Sequence, residues 1–183
     1  MGKLWLNNKI VDRLAMLQQT EVGHPGVNQV AIEKDWWVTV TLKALFQTDC
    51  RDSLIFKGGT SLSKGFNIIE RFSEDIDLAI SHSFFGIEKT GKSQREKLRK
   101  MSRAYIHKTL SAQLDARLKE MGVSGYSIEN VSQVQDKDGE WRPIDSDKDP
   151  TVILLHYSSI LEDTINYIPP RVKIEISCLS MDE

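Results

Sequence analysis

The sequence predicts an α+β domain in which a small mixed β-sheet is flanked by helices. Apolar residues recur at three- and four-residue steps in two stretches before residue 50 and in one long stretch after residue 90, which is typical of amphipathic helices. Shorter segments are wholly apolar or alternate polar with apolar residues, which predicts strands. Within residues 54–80, a strand, a glycine turn, a helix and a second strand follow in that order, and we expect the rest of the domain to be organised around them.

Length and composition favour one globular domain over residues 1–183, with N-terminal helices in 1–50 and the core in 51–183. The chain has 183 residues, of which 40% are hydrophobic and 27% charged, enough to bury a sizeable core. No apolar run approaches the roughly 20 residues that span a bilayer, and the N-terminus lacks a signal-peptide pattern. We therefore expect a cytoplasmic protein that does not contact a membrane. Cys50 and Cys178 are interpreted as reduced thiols.

Two helices are expected before the core. Residues 8–20 carry apolar side chains at helical spacing, and Pro25 interrupts that pattern. Residues 30–46 form a second, broader apolar pattern that includes two adjacent tryptophans, which favours core packing over base stacking. Glu33, Lys34 and Asp35 break the hydrophobicity near its start. For Lys34, a solvated or capping role is favoured over a phosphate contact.

A glycine turn follows the first strand. The strand is predicted over 54–56, and Gly58 and Gly59 then allow the backbone to approach a ligand closely. Thr60 or Ser61 can cap a helix predicted over 61–71, whose positive N-terminal end lies beside the glycines. A strand, a glycine turn and a helix N-terminus together form an anion site.

Carboxylates follow on strands. Asp75 and Asp77 lie on one face of a strand predicted over 75–80, and they repel each other unless a cation or a proton lies between them. A phosphate held at the glycine turn would give magnesium a reason to bind there. Glu175 has the same situation on the last predicted strand, 171–177. The alternatives are a solvated edge strand for the Asp pair and a solvent-facing position for Glu175.

The remaining segments are expected to frame this core. A helix is predicted over 92–121, strands over 126–134 and 151–159, and a solvated polar turn over 136–150. Residues 88–108 include eight Lys or Arg and two Glu. This basic helix can therefore contact a polyanion such as RNA, or it can simply be solvated. Arg95, Arg99 and Arg103 are four residues apart and are predicted to share the basic face. The four histidines show no metal-ligand spacing.

The run GGTSLSKGFNIIERFSEDIDLAI resembles the core motif of the AbiEii/AbiGii toxin-type nucleotidyltransferases, which are members of the DNA polymerase β-like superfamily. In that motif a Gly-Gly-Thr or Gly-Ser turn is followed by Asp-x-Asp. The resemblance covers roughly residues 32–177. It implies a nucleotidyltransferase core in 51–183 that uses Mg²⁺ or Mn²⁺ and a nucleoside triphosphate. The metal would be held by Asp75, Asp77 and Glu175. The triphosphate would be held by Gly58, Gly59, Thr60 and Lys64.

The resemblance also implies a function. We expect an enzyme that transfers a nucleoside monophosphate from a nucleoside triphosphate to an RNA acceptor, such as tRNA, or to a protein acceptor. It would be the toxin of a toxin–antitoxin or phage-defence system, with a cognate antitoxin as partner. The alternatives are an inactive nucleotide-binding module and a metal-dependent phosphohydrolase. Relatives continue past the third-carboxylate strand into a helical region that this sequence lacks, so we expect triphosphate binding to persist better than turnover.

Overall fold

The computed structural model describes residues 9–24, 26–57, 75–87, 91–161 and 169–178. Its helices are α1 (Ile10–Gly23), α2 (Gln29–Leu45), α3 (Lys92–Tyr105) and α4 (Ser111–Glu120), the last two joined by a π-helical turn at Ile106–Leu110. Its strands are β1 (Leu54–Lys57), β2 (Asp75–Ile80), β3 (Tyr126–Asn130), β4 (Gln133–Gln135), β5 (Trp141–Pro143), β6 (Thr151–Tyr157) and β7 (Arg171–Ser177). Short 3₁₀ turns lie at Arg51–Ser53 and His82–Phe85. The predicted α+β class is confirmed.

Five strands form the main sheet, in the order β1, β2, β7, β6, β3. The neighbours β2 and β7 run parallel, whereas β1–β2, β7–β6 and β6–β3 are antiparallel, so the sheet is mixed as expected. The parallel pair lies inside the sheet, with β1 on one side and β6 on the other. Residues on β2 and β7 are therefore flanked by neighbouring strands on both sides.

One face of the sheet is covered by helices and forms the core. Alternate residues of β2 and β7 point into it and are at most 1% exposed: Ile76, Leu78, Ile80, Val172, Ile174 and Ile176. They share a hydrophobic cluster with Trp37 and Leu45 of α2 and with Leu114 of α4. Burying side chains of this size stabilises a fold by about 1.5–3 kcal/mol each. Because the strand period is two, the intervening polar residues must lie on the opposite face.

The helix predicted over 92–121 is interrupted by the π turn. Buried residues recur at every fourth position from Leu98 to Leu118, and steps of four exceed the 3.6-residue repeat of an α-helix. A wider turn corrects this drift, and the backbone N–H of Ser111 bonds Ile106 O. His107 O is then free to accept hydrogen bonds from Ser111 Oγ at 2.7 Å and from Asn130 Nδ2 at 2.9 Å. The π turn thereby links the long helix to β3.

The strand predicted over 126–134 is in fact two strands. β3 ends at Asn130, Val131 N still bonds Val152 O, and the chain then leaves the main sheet. β4 pairs with β5 in a separate hairpin, which lies largely in the segment expected to be a solvated turn. Alternation alone continues through the junction, so it could not show where the partner strand changes.

Two further expectations fail for individual side chains. Lys34 is 2% exposed, so the solvated role expected for it is wrong, whereas a capping role and a phosphate contact stay predictions. Arg103 was expected on an exposed basic face, yet it is 9% exposed. Both residues lie on the inner sides of their helices, where a long side chain can bury its apolar stem. Because residues next to them in sequence are also polar, the sequence pattern did not show that these two side chains point inward.

Candidate active site

The strand register brings two of the predicted site residues together. Asp77 on β2 is directly opposite Glu175 on β7, and Asp75 is opposite Lys173. Neighbouring strands lie about 4.8 Å apart, so side chains opposite each other on one face can touch. The apolar alternation of both strands places these four polar residues on the face away from the helical core.

The electrostatics of the pair are those of crowded carboxylates. Burial, followed by the charges of Glu175 and Asp75, raises the pKa of Asp77, and the Glu175 carboxyl lies within hydrogen-bonding reach of it. Lys173 partly offsets this crowding: its Nζ lies 2.5 Å from Glu175 Oε1. The hydrogen bond to Glu175 in turn raises the pKa of Lys173. The arrangement therefore favours an added proton or cation between the carboxyl groups.

Two lysines belong to this constellation and were missed from the sequence. Lys173 contacts Glu175 directly, and Lys57 at the end of β1 is in register with Asp77. The parity of each strand contained the information, since Lys173 and Glu175 are two residues apart. The pairing of β1 with β2 needed the structure.

The donor chemistry fits a hard divalent cation, because Asp77 and Glu175 offer carboxylate oxygens that face each other. In the part of the chain described, no group of three or more His, Cys, Asp and Glu side chains is drawn together closely enough to hold a metal ion. Asp75, one step along β2, acts on Asp77 through its charge. A shared three-carboxylate site therefore stays a prediction.

The predicted phosphate-binding residues Gly58, Gly59, Thr60 and Lys64, with the helix expected over 61–71, lie outside the described residues. The residues that flank this interval in the chain are described. β1 ends at Lys57 immediately before them, and β2 begins at Asp75 soon after them. Both ends of the interval thus adjoin the carboxylates.

A buried carboxylate on α2 was also missed. Glu33 is 1% exposed and accepts hydrogen bonds from Ser159 Oγ at 2.6 Å and from Ile160 N at 2.9 Å. It fastens the start of α2 to the segment that follows β6. The only sequence hint was the charged interruption of an otherwise apolar helix.

A mixed sheet with acidic residues on its inner parallel pair, covered by helices on the other face, is consistent with a nucleotidyltransferase-type α+β domain. Residues 41–181 match the family described as nucleotidyl transferase AbiEii toxin, type IV toxin–antitoxin system. The chain therefore belongs to the AbiEii nucleotidyltransferase toxin family, which confirms the resemblance. Comparison with curated proteins and with solved structures returned no match. Among the described helices, none is both long and apolar enough to cross a membrane.

Proposed function

We propose that this toxin transfers a nucleoside monophosphate from a nucleoside triphosphate to a hydroxyl of an RNA, such as tRNA, or of a protein, in a metal-dependent reaction. The observation that carries the proposal is the register of β2 and β7, which sets Asp77 against Glu175. Two carboxylates in contact repel each other unless a cation or a proton lies between them. Family membership supplies the reaction class, and the residues supply the roles.

Asp75, Asp77 and Glu175 would hold Mg²⁺ or Mn²⁺, and a bound ion would neutralise charge on the phosphates. Gly58, Gly59, Thr60 and Lys64 would hold the triphosphate. Lys57 and Lys173 add positive charge beside the carboxylates. Such charges stabilise a transferring phosphoryl group when they are already in place.

The reaction balances as an in-line displacement. The acceptor oxygen bonds to the α-phosphorus, the bond from that phosphorus to the bridging oxygen breaks, and pyrophosphate leaves. Glu175 takes the proton of the acceptor hydroxyl. This role needs Lys173 to release Glu175, because their contact otherwise keeps one oxygen occupied. A cognate antitoxin would restrain the activity in the cell.

The test incubates the protein with each α-labelled triphosphate, Mg²⁺, and either total RNA or lysate. We expect a labelled acceptor and pyrophosphate, both lost with a chelator. Glu175→Gln should lower transfer on the order of a hundredfold or more. Glu129→Gln is the matched control, since Glu129 is an exposed strand carboxylate whose one ion pair among the described residues is with His156.

The alternatives give different products. Release of nucleotide without a labelled acceptor would indicate a phosphohydrolase. Magnesium-dependent binding without either product would indicate a nucleotide-binding module. Labelling that persists in chelator and in Glu175→Gln would refute the proposed site.

A further inference from the structure

A seam of buried polar groups lies on the other side of the sheet, between α3 and the residues that follow β3 and β7. Arg99, Ser102 and Arg103 share one face of α3, as residues three and four apart do. Ser102 is 1% exposed and Arg103 is 9% exposed. Cys178 closes the seam and has the same strand parity as the core residues of β7, so the seam is separated from Glu175 by the sheet.

Arg103 is a buried cation without an anionic partner in the described part of the chain. Its Nη2 donates to Val131 O at 3.1 Å, which is a neutral acceptor. Burial lowers the pKa of Arg103, and no charge among the described residues offsets that effect. Buried charges in folded proteins are normally paired, because removing an unpaired charge from water is unfavourable. The guanidinium is therefore poised for an anion.

Two further donors of the seam lack acceptors. Arg99 Nε and Ser102 Oγ are buried and have no hydrogen-bond partner within the described residues. The Ser102 hydroxyl lies beside the Cys178 thiol without meeting hydrogen-bond geometry, and burial followed by Asp149 raises the pKa of that thiol to about 12. Such orphaned groups are rare in native interiors and call for a partner.

Asp149 is the carboxylate at this end of the sheet, and its oxygens are engaged elsewhere. Oδ2 accepts from Ser177 Oγ at 3.0 Å, and Oδ1 accepts from Cys178 N at 3.1 Å. It forms no ion pair within 4.0 Å with either arginine among the described residues. Its charge therefore offsets at most one of the two guanidinium charges.

We propose that Arg99, Ser102 and Arg103 bind a phosphate group. Guanidinium groups match phosphate oxygens in a forked geometry, and a serine hydroxyl supplies a further donor. Arg99 is half-buried, so the seam reaches the surface beside it. There the exposed Lys92, Lys97 and Lys100 of the same helix raise the local concentration of anions. The site is separate from the carboxylates on the opposite face, and its failure would leave the proposed function standing.

The test titrates inorganic phosphate into the full chain at constant ionic strength and in chelator, which removes metal-bridged binding at the carboxylates. We expect phosphate to raise the melting temperature of the wild type as a ligand of the folded state does. Arg103→Met keeps the volume, removes the buried charge, and should weaken phosphate binding about tenfold or more without loss of folding. Lys43→Met removes the same charge from the exposed surface of α2, away from the seam, and should leave phosphate binding near the wild-type value.

Two more arms identify the source of the anion. A short single-stranded RNA tests a phosphodiester: Arg103→Met should lose more affinity than Lys43→Met, and the excess measures the contribution of the seam. If only inorganic phosphate shows that difference, the seam serves a free phosphate. Acetate at equal ionic strength tests a carboxylate and should not stabilise.

The proposal fails if wild type, Arg103→Met and Lys43→Met respond alike to phosphate, or if acetate stabilises as strongly. It also fails if phosphate binds only after Asp182→Asn with Glu183→Gln, because the chain's own terminal carboxylates would then be the occupant. Equal binding by that double variant and the wild type supports a ligand site.

Discussion

At the scale of single residues, Asp77 decides whether the carboxylates are functional or structural. It is the group on which burial, Glu175 and Asp75 all act in the same direction. Asp77→Asn should weaken magnesium-dependent triphosphate binding by about tenfold or more, since changes merely behind metal ligands already cost that much. The melting temperature should stay equal or rise, because like-charge repulsion is relieved. Calorimetric titration and thermal melting measure both.

The control for this substitution is Asp52→Asn. Asp52 is an exposed carboxylate that, within the described part of the chain, pairs with its neighbour Arg51 alone, and surface pairs of that kind contribute little. Unchanged nucleotide affinity in Asp77→Asn would show that the Asp pair is structural.

For substitution of Glu33 we expect the opposite effect on stability, because its carboxylate already accepts hydrogen bonds. Glu33→Gln and Ser159→Ala should each lower the free energy of unfolding by about 1–3 kcal/mol, and the double variant should cost less than their sum. Urea denaturation of the four proteins gives the coupling energy. Thr41→Val, on the same helix, removes a buried hydroxyl that has no partner among the described residues and should be neutral or stabilising. If the losses of unfolding free energy in the two single variants simply add, the hydrogen bond does not couple Glu33 and Ser159, and the prediction is contradicted.

At the scale of elements, the long helix shows where sequence reasoning succeeds and where it stops. Its existence and its end at Gly122 were readable, because the apolar steps are regular and glycine favours the left-handed conformation. The π turn was not predicted, because the three- and four-residue steps did not show that every fourth residue is buried, and the bond from Asn130 to His107 O joins residues far apart in sequence. Local periodicity records which residues are buried but not which surface buries them.

Gly122 should resist substitution for a conformational reason alone. Its φ is +78°, and a Cβ there would meet nothing within 4 Å. Gly122→Ala should therefore lower the free energy of unfolding by about 1–2 kcal/mol. Gly23→Ala, at the last residue of α1, also meets open space but without a positive φ, and should stabilise by a few tenths to about 1 kcal/mol. Equal effects at the two sites in urea denaturation would refute this account.

His107, in the π turn, gives the helix a pH dependence. Burial, and then the charge of Arg103, lowers the pKa of His107. The unfolded chain therefore binds the extra proton at higher pH than the folded chain does. The free energy of unfolding should fall as pH drops below about 6.5. Relative to wild type, His107→Gln should lose less stability between pH 7.5 and 5.5 in urea denaturation. Parallel profiles would contradict the inference.

At the scale of the whole molecule, the sequence anticipated the chemistry of the site better than its surroundings. Asp77 and Glu175 could be placed on one sheet face because strand parity and the family motif agree. The neighbour Lys57, the buried Glu33 and the seam at Arg103 depend on strand order and helix packing, which join residues far apart in sequence. These long-range pairings are set by tertiary contacts, and no local pattern encodes them.

The distribution of positive charge on α3 determines which part of this helix can contact RNA. The Arg103 side chain points inward. The basic surface of α3 that can contact RNA is therefore narrower than the four-residue spacing of the arginines predicted. It includes the exposed Lys92 and Lys97, with Lys108 in the adjoining π turn. If RNA is the acceptor, each lysine that neutralises a phosphate adds about 0.7 to the log–log salt slope for a single strand. Replacing all three by Gln should therefore lower that slope by about 2.

Replacing the exposed Lys9, Lys43 and Lys137 by Gln changes the net charge equally and should leave the slope nearly unchanged, because these residues lie on other elements. Fluorescence titrations between 50 and 300 mM salt, roughly the range over which such contacts weaken most, measure both slopes. Equal slopes for the two triple variants would mean that the chain senses RNA only through its net charge, and α3 would then be an ordinary solvated face.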